Sequence, residues 1–392
     1  MNVNEMSLKL HEENKGKISV VSKVKVETKE DLSLAYTPGV AEPCRKIDAN
    51  KEDVYKYTSK GNLVAIVSDG SAVLGLGNIG PEASMPVMEG KAILFKEFAD
   101  VDGFPICLDT QDTEEIIKTV KMIAPTFGGI NLEDISAPRC FEIEDRLKAE
   151  LDIPVFHDDQ HGTAICVLAA LINACKITGK KIQDLSVTIS GIGAAGTAIG
   201  KILLNYGITN LYLVDKNGIL NTKDPETMLH AEHERMAGLT NPEGRSGGLA
   251  EALVNVDAFV GVSAAGIVST EMVKSMNSDA IVLAMANPNP EILPEDAKAG
   301  GARIVGTGRS DFNNQVNNVL AFPGLFKGAF QVRSKDITEE MKVAAAYAIA
   351  NYIPDSELNE ENIIPKALDK NVATAVADAV AAKAIEQGVN RI

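Results

Sequence analysis

Short apolar runs alternate with amphipathic stretches along the chain from residue 63 onward. In the first part of the chain, these runs predict strands at residues 63–67, 104–108, a run ending near 132, and 154–156. Apolar positions with a helical period predict helices over 86–98 and 114–124. Residues 163–177 are apolar nearly all round, which indicates a buried helix. Strands that alternate with helices predict a mostly parallel sheet with helices on both faces.

A second series of the same kind begins at residue 185. Strands are predicted at residues 185–190, 210–214, 258–262, 280–285 and 302–305. The polar residues 224–248 indicate a surface loop around a short helix, and the Ala-rich residues 338–387 predict a helical tail. The charged first thirty residues predict an arm or an edge element. We therefore predict an α/β protein with two domains. An N-terminal α/β domain covers 1–160, and a Rossmann-like, doubly wound parallel sheet with helical C-terminal tail covers 161–392.

The composition is that of a globular protein, with 45% hydrophobic and 23% charged residues. The formal charge of −16 argues against a nucleic acid or a membrane surface as partner, because binding phosphate requires a basic face.

The five cysteines form no C-x-x-C pair, which indicates free thiols in a reducing compartment. The start lacks the apolar stretch of a signal peptide, and no run approaches the ~20 apolar residues of a membrane span. We expect a cytoplasmic protein.

The pattern Gly-x-Gly-x-x-Gly occurs twice, at 75–80 and at 191–196. A dinucleotide site requires a strand directly before the glycines, a helix after them and an acid about 20 residues later. The second copy meets all three conditions, because Asp215 follows the next predicted strand. The first copy is interpreted as a loop near a site. The predicted dinucleotide turn consists of Gly191, Ile192, Gly193, Ala194, Ala195 and Gly196.

Asp215 favours NAD over NADP as the cofactor. A carboxylate accepts a hydrogen bond from the free 2′-hydroxyl of NAD and repels the 2′-phosphate of NADP. Lys216 follows directly and could tolerate a phosphate, so the preference is weak and NADP stays open.

Two pairs of carboxylates, Glu133-Asp134 and Asp158-Asp159, close two predicted strands. Ligands of open α/β sheets bind at the carboxyl ends of strands, so these acids are expected to converge. Converging acids repel one another unless a cation compensates them, and their oxygens suit Mg²⁺ or Mn²⁺. The alternative is a set of helix caps and surface turns, in which Asp159 caps a helix. We expect His157 and His161 either to support the metal ligands from behind or to have a structural role, since a hard metal does not need them.

One lysine falls on the apolar side of the helix predicted at 86–98. Lys91 lies on a stripe formed by Val87, Leu94, Phe95 and Phe98. Desolvation of a buried amine lowers its pKa and yields a base near neutral pH. The alternative is a side chain that extends along the apolar surface to solvent.

Taken together, these segments resemble the malic enzyme family in its short prokaryotic form. The ordered set of matches is specific and covers about residues 15–385. The matching segments are Tyr36-Thr37-Pro38-Gly39-Val40-Ala41, Ser68-Asp69-Gly70, Gly75 to Gly80, Glu89-Gly90-Lys91, Asn131-Leu132-Glu133-Asp134, Phe156 to Ala164, Gly191 to Gly196, Ala286-Asn287-Pro288, Asn317-Asn318 and Phe322-Pro323-Gly324.

The resemblance implies roles for individual residues. Tyr36 would be the general acid and Lys91 the general base, with Asp158 as an assisting acid beside Lys91. The residues that would hold Mn²⁺ or Mg²⁺ are Glu133, Asp134 and Asp159. The groups that would bind substrate are Lys91, Asn287, Asn317 and Asn318. The dinucleotide would contact Gly191–Gly196, Asp215 and Asn287.

The implied reaction converts (S)-malate and NAD(P)⁺ to pyruvate, CO₂ and NAD(P)H, and oxaloacetate decarboxylation would accompany it. Larger relatives usually carry an Arg after the Asp-Gly pair, and none follows Asp69-Gly70 here. Carboxylate binding would then rest on the metal, Lys91, the asparagines and loop N–H groups.

A malolactic-type enzyme that retains NAD and releases lactate stays open, as does a dinucleotide-binding protein without catalysis. An amino-acid dehydrogenase shares the two-domain plan but needs no carboxylate metal cluster. We expect a small-molecule substrate and a homodimer with exchanged N-terminal arms.

Overall fold

The computed structural model describes residues 2–73 and 75–392; the predicted domain 1–160 includes Met1 and Leu74, which lie outside the described residues. The first sheet has four parallel strands in the order β2-β1-β3-β4. Its strands are β1 (Leu63–Ser68), β2 (Asp102–Cys107), β3 (Gly129–Leu132) and β4 (Val155–His157). Each overlaps a predicted apolar run, because a parallel sheet covered on both faces requires continuous apolar strands.

The first part of the described chain contains eight α-helices. They are α1 (Val3–Asn14), α2 (Lys29–Ala35), α3 (Ala41–Ala49), α4 (Val54–Tyr57), α5 (Gly80–Ala99), α6 (Thr113–Ile123), α7 (Arg139–Glu150) and α8 (Asp158–Thr178). Helices α6 and α7 contribute to one core and α5 and α8 to the other. Helices α1 to α4 have no buried residue. The N-terminal segment therefore forms an arm of short helices on this chain's surface, as expected, and the alternating residues 18–26 form no strand.

The second sheet has six strands in the order β10-β9-β8-β5-β6-β7. Its strands are β5 (Ser186–Ser190), β6 (Asn210–Asp215), β7 (Gly218–Ile219), β8 (Ala258–Gly261), β9 (Ala280–Ala284) and β10 (Ala302–Thr307). All pair in parallel except the short β7, which runs antiparallel to β6. The order reverses between β5 and β8, which is the switch point of a doubly wound sheet. The predicted fold class is confirmed.

Helices of the second part include a C-terminal group that packs against α5 and α8. They are α9 (Ala194–Tyr206), α10 (Ala231–Ala237), α11 (Leu249–Leu253), α12 (Thr270–Lys274), α13 (Pro294–Ala299), α14 (Phe322–Gln331), α15 (Glu339–Asn351) and α16 (Asn371–Glu386). The predicted helical tail is interrupted at residues 352–370. Pro354 and Pro365 lie in this interval, and proline disrupts a continuing helix because it lacks an N–H.

Helix α8 links the two sheets. It follows β4 directly and packs against α9 and α15. Its most apolar 18-residue window has a mean hydropathy of 1.4, enough for a membrane span by composition alone, yet 72% of that window is buried inside the protein. The predicted buried helix is confirmed as a core helix. The predicted boundary at 160/161 falls inside α8 and stays a prediction.

Helix α5 begins earlier than expected. The sequence suggested a start at Pro86, whereas the helix begins at Gly80 with a proline in its first turn and contains Pro86 in its interior. Proline suits a first turn because its missing N–H has no helical partner there. Aromatic rings join α5 to α14, since Phe95 meets Phe322 and Phe326 edge-on at 4.8 and 5.3 Å between centroids. This packing holds Lys91, one turn before Phe95, close to α14.

Candidate active site

Lys91 lies on the buried face of α5 and is 7% exposed. That face also carries Met88, Ala92 and Phe95. Val87, which the sequence pattern placed on the same stripe, is 40% exposed. The apolar face is therefore rotated slightly from the predicted one. Burial of Lys91 is confirmed, and its side chain does not extend to solvent.

The Lys91 ammonium contacts two carboxylates and an aromatic ring. Its Nζ lies 2.5 Å from Asp158 Oδ2, 2.8 Å from Glu133 Oε1 and 4.3 Å from the centroid of the Phe322 ring. Burial lowers the pKa of Lys91, but Asp158, Glu133 and Asp159 together outweigh burial and raise the pKa above its ordinary value. The expected lowering of the pKa is wrong for this arrangement, because the neighbouring acids stabilise the charged amine.

The two carboxylate pairs converge as predicted. Glu133 and Asp134 follow β3, while Asp158 and Asp159 open α8 directly after β4, the neighbouring strand. The Asp134 N–H donates to Asp159 Oδ2 at 2.7 Å, which ties the two strand ends together. Asp134 adopts the left-handed backbone, with φ of 53°. Asp adopts this conformation more readily than most residues that carry a Cβ. Asp159 thus lies within the first helical turn rather than in a turn before it.

All four carboxyl groups hold protons more tightly than free Asp or Glu. Burial is the largest cause in each case, and neighbouring acids add to it. The pKa of Glu133 and of Asp158 is raised to about 7, that of Asp159 to about 6 and that of Asp134 to about 9. One ammonium does not compensate four acids in a low-dielectric interior. The cluster therefore favours an additional positive charge.

The donor set fits a hard divalent cation. Glu133, Asp134 and Asp159 offer carboxylate oxygens, the donors that Mg²⁺ and Mn²⁺ prefer. Asp134 Oδ2 is buried and has no hydrogen-bond partner among the described residues. Within residues 2–73 and 75–392, no three His, Cys, Asp or Glu side chains lie at a spacing that holds an ion without rearrangement. Glu133 is drawn to Lys91 instead, so the acids are gathered but not arranged around a common point.

The asparagines predicted to bind substrate occupy different positions. Asn318 Nδ2 donates to Asp158 Oδ2 at 2.6 Å, so this side chain touches the cluster. Asn317 Oδ1 accepts from Val319 N–H at 3.0 Å and caps a short helical turn. Asn287, exposed after β9, lines a cavity of about 420 Å³ together with Asn317. The structure brings Asn318 to the acids and places the other two at an adjoining cavity.

The second glycine motif forms the tight turn that the pattern predicts. Only residues 191–193 separate β5 from α9. Gly191 has φ of 92°, and its N–H donates to Val214 O at 2.9 Å. A Cβ on Gly196 would lie 1.9 Å from Gly191 O. The helix N-terminus therefore stands directly at the end of β5, where it can face a pyrophosphate.

Asp215 ends β6, beside this turn. Its Oδ1 accepts from Lys216 N–H at 2.8 Å, and its Oδ2 lies 3.6 Å from His233 Nε2. His233 is fully buried and donates from Nε2 to Ile192 O at 2.8 Å, since its Nδ1 faces the Leu229 N–H at 3.3 Å. His233 thus couples the glycine turn to Asp215.

The first glycine motif belongs to a longer connection. Residues 69–73 and 75–79 lie between β1 and α5, so the glycines do not form a strand-to-helix turn. A Cβ on Gly75 would lie 3.9 Å from Asn287 O, which places this loop beside the cavity after β9. The interpretation of this copy as a loop near the site agrees with its position.

Arg139 is a residue of this region that the sequence did not indicate. It opens α7, and its Nη2 donates to Asp69 Oδ2 at 2.9 Å and to Ser71 Oγ and Ser136 Oγ at 3.0 Å. It therefore connects the loop after β1 to the loop after β3. No local pattern could have found it, since Asp69 lies 70 positions away.

Tyr36 is not brought to the cluster in this chain. It follows α2, is 67% exposed, and its hydroxyl makes no hydrogen bond within the described residues. Its predicted role as an acid stays a prediction.

Comparisons with known proteins agree with this arrangement. The family model "Malic enzyme, N-terminal domain" matches residues 13–148, and "Malic enzyme, NAD binding domain" matches residues 160–385. A bifunctional malic/malolactic enzyme of Bacillus subtilis is 56% identical over all of this chain and 95% of its own length. An NAD-dependent malic enzyme of Geobacillus stearothermophilus is 57% identical over 96% of this chain and 78% of its length.

A solved structure agrees as well. The crystal structure of malic enzyme from Pyrococcus horikoshii superposes with a TM-score of 0.96 at 51% identity, covering 100% of this chain and 92% of that one. The matching family models, the sequence relatives and this structure together span both sheets and the acid cluster between them. The chain belongs to the malic enzyme family.

Proposed function

We propose that the protein oxidises and decarboxylates (S)-malate to pyruvate and CO₂ while reducing NAD(P)⁺. The observation that carries this proposal is the buried contact of Lys91 with Asp158 and Glu133, at 2.5 and 2.8 Å, among four converging acids. The names of the relatives and the glycine turn after β5 support it. A protein that only binds dinucleotide would have no use for such a cluster.

Lys91 and Asp158 would move the proton at C2. Asn318 donates to the same Asp158 oxygen that Lys91 contacts, which holds the carboxylate against the amine. A neutral Lys91 would accept the proton of the C2 hydroxyl, and a bound oxidised dinucleotide would supply the acceptor for the hydride from C2. The C3–C4 bond would then break and CO₂ would leave. The electron pair of that bond would form the enolate of pyruvate. A general acid completes the reaction by giving C3 a proton.

The residues that would hold Mn²⁺ or Mg²⁺ are Glu133, Asp134 and Asp159. A bound divalent ion polarises the C2 oxygen and stabilises the negative charge that develops there. Glu133 and Asp159 are two of the three acids that raise the pKa of Lys91. When their charge is compensated, Lys91 keeps Asp158 as its partner but loses two of the three negative charges that raise its pKa, which favours release of its proton.

Tyr36 would supply the proton for C3 within a homodimer. Its segment exposes many large apolar side chains, which is unusual for a surface that stays in water. We propose that a second copy covers this segment and that the arms are exchanged. Mixed dimers of Lys91→Ala and Tyr36→Phe chains test this. Activity regained on mixing two inactive variants supports exchange, and no recovery in dimers that do form contradicts it.

NAD is the favoured cofactor because Asp215 ends β6 without a paired Arg or Lys in the described structure. Relatives are named for either dinucleotide. The five cysteines are all free, which agrees with a proposed location in the cytoplasm.

The deciding experiment follows absorbance of NADH or NADPH after adding malate and Mn²⁺. The proposal expects a malate-dependent rise, faster with NAD⁺, and equal amounts of pyruvate and reduced cofactor. A malolactic activity, which the Bacillus subtilis relative's name attributes to that protein, would give lactate without reduced cofactor in solution. Dinucleotide binding with neither product would contradict both.

A further inference from the structure

Glu144 is a buried acid that the mechanism above does not use. It lies on the core side of α7, is 3% exposed and stands among Cys140, Ile143 and Leu147. Resting on the proposed function, we propose that Glu144 is a positioning residue: it fixes the first turn of α8 and thereby the two acids, Asp158 and Asp159, that this turn carries.

Glu144 binds three groups at the start of α8. Its Oε1 accepts from the His157 N–H at 3.2 Å, and its Oε2 accepts from Gln160 Nε2 at 3.0 Å. Both oxygens lie 2.9 Å from His161 Nε2. All of these partners are within four positions of one another, so one carboxylate holds both ends of the first turn.

Lys342 orients this arrangement from the other side. It is 2% exposed, lies on α15, and its Nζ donates to His161 Nδ1 at 3.1 Å. An ammonium can only donate, so Nδ1 accepts and the Nε2 of His161 carries the hydrogen that Glu144 receives. Glu339 pairs with Lys342 at the outer end. The chain of contacts thus runs from α15 through α8 to α7.

The start of α8 needs such support from outside. The first N–H groups of a helix lack intrahelical partners, and His157, which precedes α8, provides no side-chain cap. Asp158 is committed to Lys91 and Asn318, and Asp159 to the Asp134 N–H. Neither acid therefore anchors this turn, and Glu144 holds it from outside through the His157 N–H and the side chains of Gln160 and His161.

The test compares Glu144→Gln with Glu142→Gln in the full-length protein. Gln keeps the shape but puts an NH₂ group against donors from His161 or Gln160. For Glu144→Gln we expect kcat to fall at least about tenfold and Mn²⁺ affinity, by calorimetry, to weaken at least about tenfold, with KM for NAD⁺ unchanged. Glu142 is exposed on the same helix, and its variant should match the wild type in every measurement.

Lys342→Met provides a second variant in case Glu144→Gln does not fold. It removes the group that orients His161, and it should shift kcat and Mn²⁺ affinity in the same direction with KM for NAD⁺ unchanged. A lower melting temperature with unchanged kcat and Mn²⁺ affinity would show a merely structural role and overturn the proposal. If the wild type lacks malate-dependent NAD(P)H formation, the proposed function fails, while Mn²⁺ binding still decides the role of Glu144.

Discussion

Lys91 takes its chemistry from residues that are far away in the sequence. Its position on an apolar stripe indicated burial but left open a side chain that extends to solvent, because helical periodicity is a local property. Its pKa was not predictable in this way, since Asp158 lies 67 positions further along the chain and reaches the amine only after the sheet has formed. The same holds for Arg139, whose partners come from another loop.

The sequence contains a weak indication that Glu144 is unusual. It occupies the same helical face as Cys140 and Leu147, where a carboxylate is unexpected. Sequence alone did not show what would satisfy it, because Lys342 and His161 come from two other helices.

Replacing Lys91 tests the proposed base. Lys91→Ala should lower malate oxidation about 10²–10⁴-fold, the usual contribution of a positioned acid or base, and leave NADH binding unchanged. Turnover and a fluorescence titration of NADH are the measurements. Lys96→Ala, at a half-exposed position on the same helix, is the control and should keep wild-type activity. Near-normal turnover of Lys91→Ala would remove the assignment.

The raised carboxyl pKa values predict how metal binding depends on pH. The pKa is about 9 for Asp134, about 7 for Glu133 and about 6 for Asp159. Each carboxyl group must lose its proton before it can bind a cation. Affinity for Mn²⁺ should therefore rise as the pH increases from 6 to 9, by calorimetry. Asp159→Asn should weaken binding sharply, while Asp145→Asn, exposed on α7, should not. Affinity that is constant over this range would contradict the proposed set.

At the scale of elements, the apolar runs predicted the strands well because both faces of each sheet are covered. Helices α5 and α8 begin several residues before their predicted starts at residues 86 and 163, for a different reason. Gly80 and Asp158 open these helices, and in both cases the first turn contains residues that usually indicate a loop. The proposed function uses the acids in the first turn of α8, and local helix preference is weak at this site.

The glycine turn before α9 allows a matched pair of variants. Gly196→Ala would set a Cβ 1.9 Å from Gly191 O and should lower unfolding free energy by about 1–3 kcal/mol. Gly193→Ala meets no atom within 4 Å, so its stability should stay unchanged. Its dinucleotide affinity should still fall at least about tenfold, because the second glycine lets the pyrophosphate approach the backbone. Thermal melting and NADH titration separate the two effects, and equal behaviour of both variants would contradict the assignment.

At the scale of the whole molecule, the exposed apolar residues are concentrated in the N-terminal segment. They include Val3, Met6, Leu8, Val20, Val21, Leu34 and Tyr36. The sequence suggested an arm here, but its apolar face became visible only when the structure showed that this chain leaves it uncovered.

Association can be tested on this face. Sedimentation should give twice the chain mass of 41.7 kDa. Leu34→Asp should shift the protein toward monomer and lower malate turnover, because a charge is costly in a desolvated interface. Leu368→Asp, 84% exposed against 71% for Leu34 and distant in sequence, is the control and should leave the mass unchanged. A monomeric wild type with full activity would exclude the proposed exchange.

The continuity of α8 has a consequence for dissecting the protein. A cut between residues 160 and 161 would sever this helix within its first turn, leaving the carboxylates on one fragment and most of the helix on the other. Most of that helix is core and would face water in a separated half. We therefore expect neither half to refold alone as a working module. A chimaera with a foreign nucleotide-binding half should therefore take its junction after Thr178, so that β4 keeps its place in the first sheet and the acids stay with their helix.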